Sequence, residues 1–518
     1  MKRFLVLALA AIAFAACAEK NEENAPVLNG EVEQSYVSIT LASDDMNTRA
    51  NDGEYEAGLA EEREVKSAYV FFFDDGAEFP VAFDGTTTTN SGSSNWLKVE
   101  LNGSTDGMPN VSDIKDQVLV IQNYKGQYPN QMLAILNWTP KQKNYTLSEL
   151  QTAVASAISN DNGFVMSNSV YANSKKQVID AVPLTVANIG KTEAEAKDNP
   201  VTIHVERVAA KVVYTAKNEG KFMIGKNVDN TEIYAQIESF ELYNDYEESR
   251  LLKKIDPTWD GIGFAWNDAD WFRSYWAQSL GTAFPNNTFS WNSDNTALNG
   301  WNYLGENTRP EAENRTKVII KAKLVNAAGE AQEIVNWYGK DYIGENTLKD
   351  VVANTLNRLY YSSADNSTFT GLTPADLMCA SRASDAENAY EVYFKLSEAG
   401  EQKSWYKYED GNYNAIAVDV LNAELAEVQP ALVYKGGMTY YWLDIKHLGN
   451  AGSDTEYGVV RNHVYKVNIT DITGFGTPIY DPTQDFIIPD KPEDIVTYVS
   501  AQINILSWRV VENDYEVK

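Results

Sequence analysis

Residues 497–511 read TYVSAQINILSWRVV. Val499, Ala501, Ile503 and Ile505 alternate with Ser500, Gln502 and Asn504, the period-2 pattern of a strand with one buried face. Ile505 and Leu506 are adjacent, after which Leu506, Trp508 and Val510 carry the apolar face onward. Such a change of phase predicts a bulge, or two short strands set end to end. Ahead of it runs TPIYDPTQDFIIPDKPEDI, where Pro478, Pro482, Pro489 and Pro492 recur too closely for a helix or a paired strand. The terminal strand is therefore expected to hang on a stiff tether from Thr477 to Asp494, which at ~3.1 Å per residue reaches about 55 Å.

Near the start of the chain, Ser35-Tyr36-Val37-Ser38 matches Thr497-Tyr498-Val499-Ser500, and Val37, Ile39 and Leu41 continue the same alternation. If both strands suit one groove, the first fills it in the newly made protein and the last fills it in a neighbouring copy, which makes the chain a polymerising subunit. Two edge strands in a chain of 518 residues can also share a tetrapeptide by chance, so other features have to decide. With Trp508 and Val510 beyond the length of the first strand, the last is expected to grip such a groove more firmly than the strand it replaces.

With 44% hydrophobic and 22% charged residues the chain is globular and core-forming, and its length allows about two to four domains. A formal net charge of -30 disfavours nucleic acid and anionic membrane surfaces as partners. His204, His447 and His463 stand far apart with no metal-ligand spacing. There is no G-x-S-x-G, H-E-x-x-H, P-loop or Rossmann glycine run. Some pair among 73 carboxylates must lie near a cleft, so carboxylates alone carry no glycosidase argument. DGNYN and DNTALNG lack the full ligand set of a calcium loop. The expectation is a protein that is not an enzyme, with no catalytic residue, metal or cofactor.

Met1 to Ala16 carries Lys2 and Arg3, an apolar run from Phe4 to Phe14, and Ala15-Ala16 directly before Cys17. This is an export signal that ends on a cysteine, the arrangement of a bacterial lipoprotein acylated at its mature N-terminus. Phe14 departs from the aliphatic residue usual at its position, and the apolar run is too short to span a bilayer. Lys20, Glu22 and Glu23 look like the charged signal that directs some lipoproteins to the outer face of the outer membrane. With Cys17 acylated, Cys379 lacks a partner and is expected to be a small buried side chain.

Ala18 to Gln34 reads as a polar spacer, followed by the strand Tyr36 to Ala42 and the loop SDDMNTRANDGEYEAG, polar and open to nicking. Within that loop, Arg49-Ala50 offers an arginine-specific protease a bond whose cleavage releases residues 1–49; a solvated arginine with no such role reads the same way. From Val65 onward, strand signals follow in series: VKSAYVFFFD, NWLKVEL, QVLVIQNY, QMLAILNW, GFVMSNSVY and QVIDAVPLTVAN. Helices are expected over Thr146–Ile158, with Thr146 and Glu149 spaced for a capping box, over Lys191–Lys197 and over Thr347–Leu359. Short strands, turn signals and few helices describe β-sandwiches. In VTIHVERVAAKVVY (201–214), Val201, Ile203 and Val205 share one phase and Val208, Ala210, Val212 and Tyr214 the other. That predicts a strand leaving one sheet for another, with a domain boundary near Arg207–Lys211. Further strands are read at TEIYAQIESFELY, TKVIIKAKLVN, ALVYKGGMTYYWLDI and YGVVRNHVYKVNIT. Trp259, Trp266, Trp271, Trp276, Trp291 and Trp301 lie among Asn, Asp and Gly, as a glycan platform or as packing over a sandwich edge.

Together these pieces resemble the fimbrilins of type V pili, most closely the stalk subunit of the short-fimbria type. The matching stretches are Cys17; SYVSITL; Thr48-Arg49-Ala50 before an acidic-glycine loop; NPVTIHVERVAAKVV; YYWLDI; VVRNHVYKVNI; and INILSWRVVENDYEV. They run through nearly the whole chain, and the last two are the more specific. The resemblance implies an all-β fold with minor α content: two transthyretin-like β-sandwich domains in tandem with a C-terminal donor-strand extension. The expected parts are a lipoprotein signal and lipidated cysteine over 1–17, a propeptide with the removable first strand over 18–49, sandwiches over 50–208 and 209–476, and tether plus donor over 477–518.

The resemblance further implies acylation of Cys17, a cut between Arg49 and Ala50, displacement of Val37, Ile39 and Leu41, and insertion of Val499, Ala501, Ile503, Ile505, Leu506, Trp508 and Val510. Implied partners are other copies of the chain in a head-to-tail polymer, pilus tip and anchor subunits, and an arginine-specific protease. The membrane is a partner only through the precursor's lipid anchor, and nucleic acid is not one. The expected location is the outer membrane for the lipidated precursor and then an extracellular fimbrium serving adhesion and colonisation. The competing reading is a monomeric surface lipoprotein that binds glycan through its Trp-rich loops.

Overall fold

The computed structural model describes residues 32–42, 55–56, 58–82, 93–101, 114–115, 117–124, 126–156, 163–172, 177–227, 229–255, 277–285, 287–292, 295–381, 390–447, 452–453, 455–483, 485–486 and 498–508. The fold is all-β in character, with short helices, and is built as several sandwiches. In the N-terminal one, β1 (Val32–Ala42) lies between β2 (Gln117–Tyr124), to which it is antiparallel, and β3 (Val201–Arg207), to which it is parallel. The sheet continues through Met166–Asn168 and Gln131–Leu136 to Ala68–Asp74. It folds over itself, because Val37, Ile39, Leu41 and Ile203 share one core with Val70, Phe72, Met132 and Ala134. Ala68–Asp74 is buried on its other face as well, where Phe71 and Phe73 meet Tyr145, Leu147, Leu150 and Leu251. Two buried faces explain why VKSAYVFFFD is a continuous apolar run rather than an alternating one.

The helix Leu147–Thr152 opens on the expected capping box: the Glu149 N–H donates to Thr146 Oγ1 at 3.2 Å and the Thr146 N–H to the Glu149 carboxylate at 2.7 Å. It ends sooner than expected, because Val154–Ser156 pairs as a strand with Glu248–Arg250; Ile158 lies outside the described residues. The second expected helix is Glu193–Asp198, capped by Thr192.

Where the apolar phase changes, the chain changes sheet. β4 (Ala210–Ala216) begins a second sandwich. One of its sheets runs in the order Lys221–Lys226, Glu232–Tyr243, Lys317–Val325, Met438–Asp444 and Thr477–Pro478. Between the third and fourth of these neighbours a separate unit is inserted, spanning 334–434. It has a five-stranded sheet and a four-stranded one made of β5 (Tyr360–Ser362), β6 (Thr370–Gly371), β7 (Trp405–Glu409) and β8 (Asn412–Ile416), in the order β6-β5-β7-β8. Its own core joins Leu348 and Val352 of the helix Glu345–Leu356 and Leu421 and Leu425 of Val418–Ala426 to Val392, Phe394, Trp405 and Val433. A single sandwich was the expectation for 209–476. Two amphipathic helices need an apolar surface of their own, and this third core supplies it.

The facing sheet of the second sandwich contains β9 (His463–Thr473), parallel to β4, and β10 (Tyr498–Trp508), antiparallel to β9. Val212, Tyr214, Tyr465 and Val467 from this sheet pack on Ala235, Phe240, Val318 and Ile320 from the other. Tyr214 and Phe240 stack with ring centroids 4.6 Å apart. Among the described residues no helix is long and apolar enough to cross a membrane.

Candidate functional site

β1 is held on both sides. On one, Val32–Ile39 run opposite Gln117–Tyr124, and the Leu41 N–H donates to the Ile114 carbonyl at 2.9 Å. On the other, Tyr36 and Val37 meet Gly190 and Ile189, and Ile39–Ala42 meet Val201–His204. Val37, Ile39 and Leu41 are 0%, 0% and 1% exposed. At the entry to the strand the Glu33 carboxylate accepts from Asn123 Nδ2 at 3.3 Å and from the Tyr128 hydroxyl at 3.1 Å. Burial, and after it that carboxylate, pushes the Tyr128 phenol above its ordinary range. Loss of β1 uncovers core that three side chains fill, at ~1.5–3 kcal/mol each, and leaves the backbones of β2 and β3 as two unpaired edges.

The strand that shares its Tyr-Val-Ser lies in the other sandwich. β10 pairs with β9 of its own chain from Thr473 opposite Tyr498 to His463 opposite Ser507. On its other side, among the described residues, only Tyr55 and Glu56 pair with it, opposite Ser507 and Trp508. Within one chain, then, the two strands fill different places, one central and one near an edge.

Two expectations about the tail are corrected. Ile505 and Leu506 face Tyr465 and Val464 in unbroken register; the irregularity lies farther along, where β9 has Thr470 as an extra residue between Ile469 and Asp471. Also, the Pro-rich stretch is docked over its first part. Thr477–Pro478 pairs at the sheet edge, where a missing N–H is tolerated. The Ile479 N–H donates to the Met438 carbonyl at 3.2 Å, and its side chain is buried with Phe289, Ile319 and Tyr440. The Tyr480 hydroxyl donates to the Cys379 carbonyl at 3.2 Å, and Asp485–Phe486 pairs with Phe289–Ser290. Residues 487–497, between this docked root and β10, lie outside the described residues.

A buried charged layer between the two sandwiches was not foreseen. Glu62, 0% exposed, follows the arginine loop and enters the junction. Its carboxylate meets Lys211 Nζ at 2.8 Å, the Leu59 N–H at 2.6 Å and the Tyr303 hydroxyl, while its carbonyl accepts from Arg207 Nε at 2.7 Å. Burial raises the Glu62 carboxyl, but Lys211, Tyr303 and Leu59 outweigh it and hold the group below its ordinary value. Burial, followed by Glu62, drives the Tyr303 phenol far upward. Beside this cluster, Lys253 pairs with Glu206 at 3.3 Å and Arg461 with Glu306 at 3.2 Å, all of them buried. Desolvation is the first reason that the Lys253 ammonium is depressed, and Glu206 and Glu306 only partly offset it. The sequence signal was present: Glu206, Arg207 and Lys211 interrupt an apolar run.

Cys17, Arg49, Ala50 and Val510 lie outside the described residues, as do Trp259, Trp266, Trp271 and Trp276. Val499, Ala501, Ile503, Ile505, Leu506 and Trp508 all fall within β10. Trp291 packs beside Phe289 and Tyr440, whereas Trp301 is 42% exposed under the Lys211 ammonium. Cys379 is buried, and burial pushes its thiol up to about 12. The fold brings His447 and His463 together, with ring centroids 5.4 Å apart, and the Tyr465 hydroxyl lies 3.0 Å from His447 Nδ1. Among the described residues no group of three His, Cys, Asp or Glu is placed to hold a metal ion.

Residues 432–514 match the family of the major fimbrial subunit protein type IV, fimbrillin, C-terminal. No curated protein matches the chain by sequence. Among solved structures the chain is similar to a fimbrilin (fimA) from Porphyromonas gingivalis W83, at 13% identity and a TM-score of 0.37 over 92% of this chain and 98% of that one. A proposed cell adhesion protein from Parabacteroides distasonis ATCC 8503 gives 12% identity and a TM-score of 0.40 over 92% and 98%. The tip fimbrial protein Mfa3 from Porphyromonas gingivalis, with a C-terminal truncation, gives 13% and 0.29 over 92% and 100%. The matched residues, 432–514, take in all of β9 and β10, so the part of the chain that holds these two strands is similar to the C-terminal region of the fimbrillin family.

Proposed function

We propose that the protein is the structural, stalk-forming subunit of a cell-surface fimbrium that serves adhesion. In this reading it is exported as a lipoprotein acylated at Cys17 and cut between Arg49 and Ala50. It polymerises when the tail of one copy, through Val499, Ala501, Ile503, Ile505, Leu506, Trp508 and Val510, takes the groove that Val37, Ile39 and Leu41 have left in another. Tip and anchor subunits would complete such a fimbrium, and only the precursor's lipid would touch the membrane.

The observation that carries this reading is the contrast between the two strands. β1 is central, its Val37, Ile39 and Leu41 are buried, and it is followed closely in sequence by Arg49. Among the described residues β10 has one long neighbour. Moving β10 into a groove with neighbours on both sides adds a second ladder, with backbone hydrogen bonds worth roughly 0.5–1.5 kcal/mol net apiece. Its place on β9 holds the donor at home until a groove is vacant. The contact between copies is then heterologous and does not close, so it propagates as a filament.

The test is to treat the purified protein with an arginine-specific protease and run unboiled SDS gels. Ladders should form with the wild type, and should be lost both in Arg49→Ala and in a chain lacking residues 498–518. Ladders that persist in either variant, or a wild type that stays monomeric after complete cleavage, would overturn the reading.

A further inference from the structure

We propose that the outer face of the four-stranded sheet in the inserted unit binds a neutral saccharide. The register puts Tyr361 of β5 opposite Tyr406 of β7, Tyr408 of β7 opposite Tyr413 of β8, and Tyr361 opposite Gly371 of β6. Alternation along the strands adds Phe369 to the same face. Tyr360, Ser362 and Trp405 point the other way, where Tyr360 and Trp405 join the inserted core. Five aromatic rings therefore share one surface. Tyr413 lies 4.9 Å from Tyr408, 5.0 Å from Tyr361 and 3.8 Å from Phe369 between ring centroids, the last pair parallel. Tyr408 and Tyr413 remain 39% and 40% exposed.

The chemistry of the face selects its occupant. Besides the rings it presents only the methyl of Ala415 and the backbone of Gly371, with no charged and no branched aliphatic side chain. Lys407 and Glu409 occupy the alternate positions and face away, where Lys407 meets Glu424 at 2.9 Å. Nucleic acid bases also stack on aromatic rings, but such sites need cations along the backbone, and this chain carries a net charge of -30. A quaternary ammonium needs rings that enclose a space, whereas these rings lie against one another, Phe369 on Tyr413 at 3.8 Å. What fits is an uncharged ligand with C–H faces to lie on the rings and hydroxyls to pair with phenols and amides at the margin. The Tyr406 hydroxyl already donates to the Asn366 side chain, so that margin is preset. A pyranose has both features.

The inserted unit stands apart from the grooves of the two sandwiches, so this inference does not depend on polymerisation. The test is calorimetry of the full chain with cellohexaose, xylohexaose, mannohexaose and maltohexaose as probes. At least one should bind, Tyr413→Ala and Tyr408→Ala should each weaken it about tenfold or more, and Tyr413→Phe should keep it within about threefold. Far-UV dichroism of each variant checks the fold, and either alanine variant suffices if the other fails to fold. The proposal is overturned if none of the four probes binds, if binding survives every folded alanine variant, or if the face instead pairs two copies of the chain, seen as a wild-type dimer that Tyr413→Ala dissociates.

Discussion

Replacing Glu62 by alanine tests whether the junction is held by its buried charges. The substitution takes away the carboxylate that meets the Lys211 ammonium at 2.8 Å, in a place where Lys211 is 5% exposed, and it removes the acceptor of the Tyr303 hydroxyl. The bond from Arg207 goes to the Glu62 carbonyl and survives. Breaking one side of a buried pair costs about 3–5 kcal/mol, because the remaining ion keeps its desolvation and loses its attraction. With a urea dependence of about 2 kcal/mol per molar, a loss of about 4 kcal/mol lowers the midpoint of the affected transition by about 2 M. A chain with several cores does not unfold in one step, so the assay should report on the junction alone. Arg63 is 9% exposed and becomes available to an arginine-specific protease only when the junction opens. Pulse proteolysis across a urea series, scored by mass spectrometry of the fragment that starts at Glu64, gives the midpoint. Glu62→Met combined with Lys211→Met should recover most of the loss, since an apolar pair of similar volume carries no desolvation penalty. A midpoint shift below about 0.3 M for Glu62→Ala, or a double variant as unstable as the single one, would refute this reasoning.

Other outcomes follow from the same geometry. Because the folded Glu62 carboxyl sits below its ordinary value of 4.5, the unfolded chain binds more protons between the two values. The stabilisation is therefore complete above 4.5 and is lost as pH falls through the lowered value. Thermal melts from about pH 5 to about pH 3 should show this slope in the wild type and a shallower one in Glu62→Gln. Leu41→Ala, at a side chain 1% exposed, should cost about 2–5 kcal/mol in the uncut protein, yet leave the melting of polymer formed after cleavage unchanged, because the residue has departed. Ile479→Ala, at a fully buried position, should cost a similar ~2–5 kcal/mol locally and loosen the root of the tail. Faster labelling of Cys379, whose carbonyl Tyr480 holds, is the readout.

What the sequence made legible was whatever repeats at the period of a strand and has one buried face. The first strand, the change of phase at Val205–Val208 and the capping box at Thr146 and Glu149 were all readable, because each is local. Features set by partners distant in sequence were not. The continuous run 65–74 gave no hint that it was covered on both faces, since Leu251, which closes the second, lies far along the chain. The helix Val418–Ala426 was passed over because its apolar positions follow directly on a strand of exposed residues. Pro478 and Pro482 argued for a free tether, whereas edge pairing tolerates the missing N–H and the pocket for Ile479 is built by residues from 243 to 440. The shift in register of β10 was misplaced for a related reason: the extra residue, Thr470, belongs to the partner strand. Charged residues inside the run 201–214 were visible, but their meaning depends on Glu62, Lys253, Glu306 and Arg461, which only the fold gathers.

The central claim is that the groove between β2 and β3 passes from a chain's own first strand to the tail of another. Cryo-electron microscopy of filaments grown from cleaved protein tests it most directly. The account predicts side-chain density for residues 498–508 of a neighbouring copy in that groove, with residues 32–42 gone and β9 relieved of its own tail. Filaments in which β1 still fills the groove, or in which each tail remains on the β9 of its own chain, would contradict it.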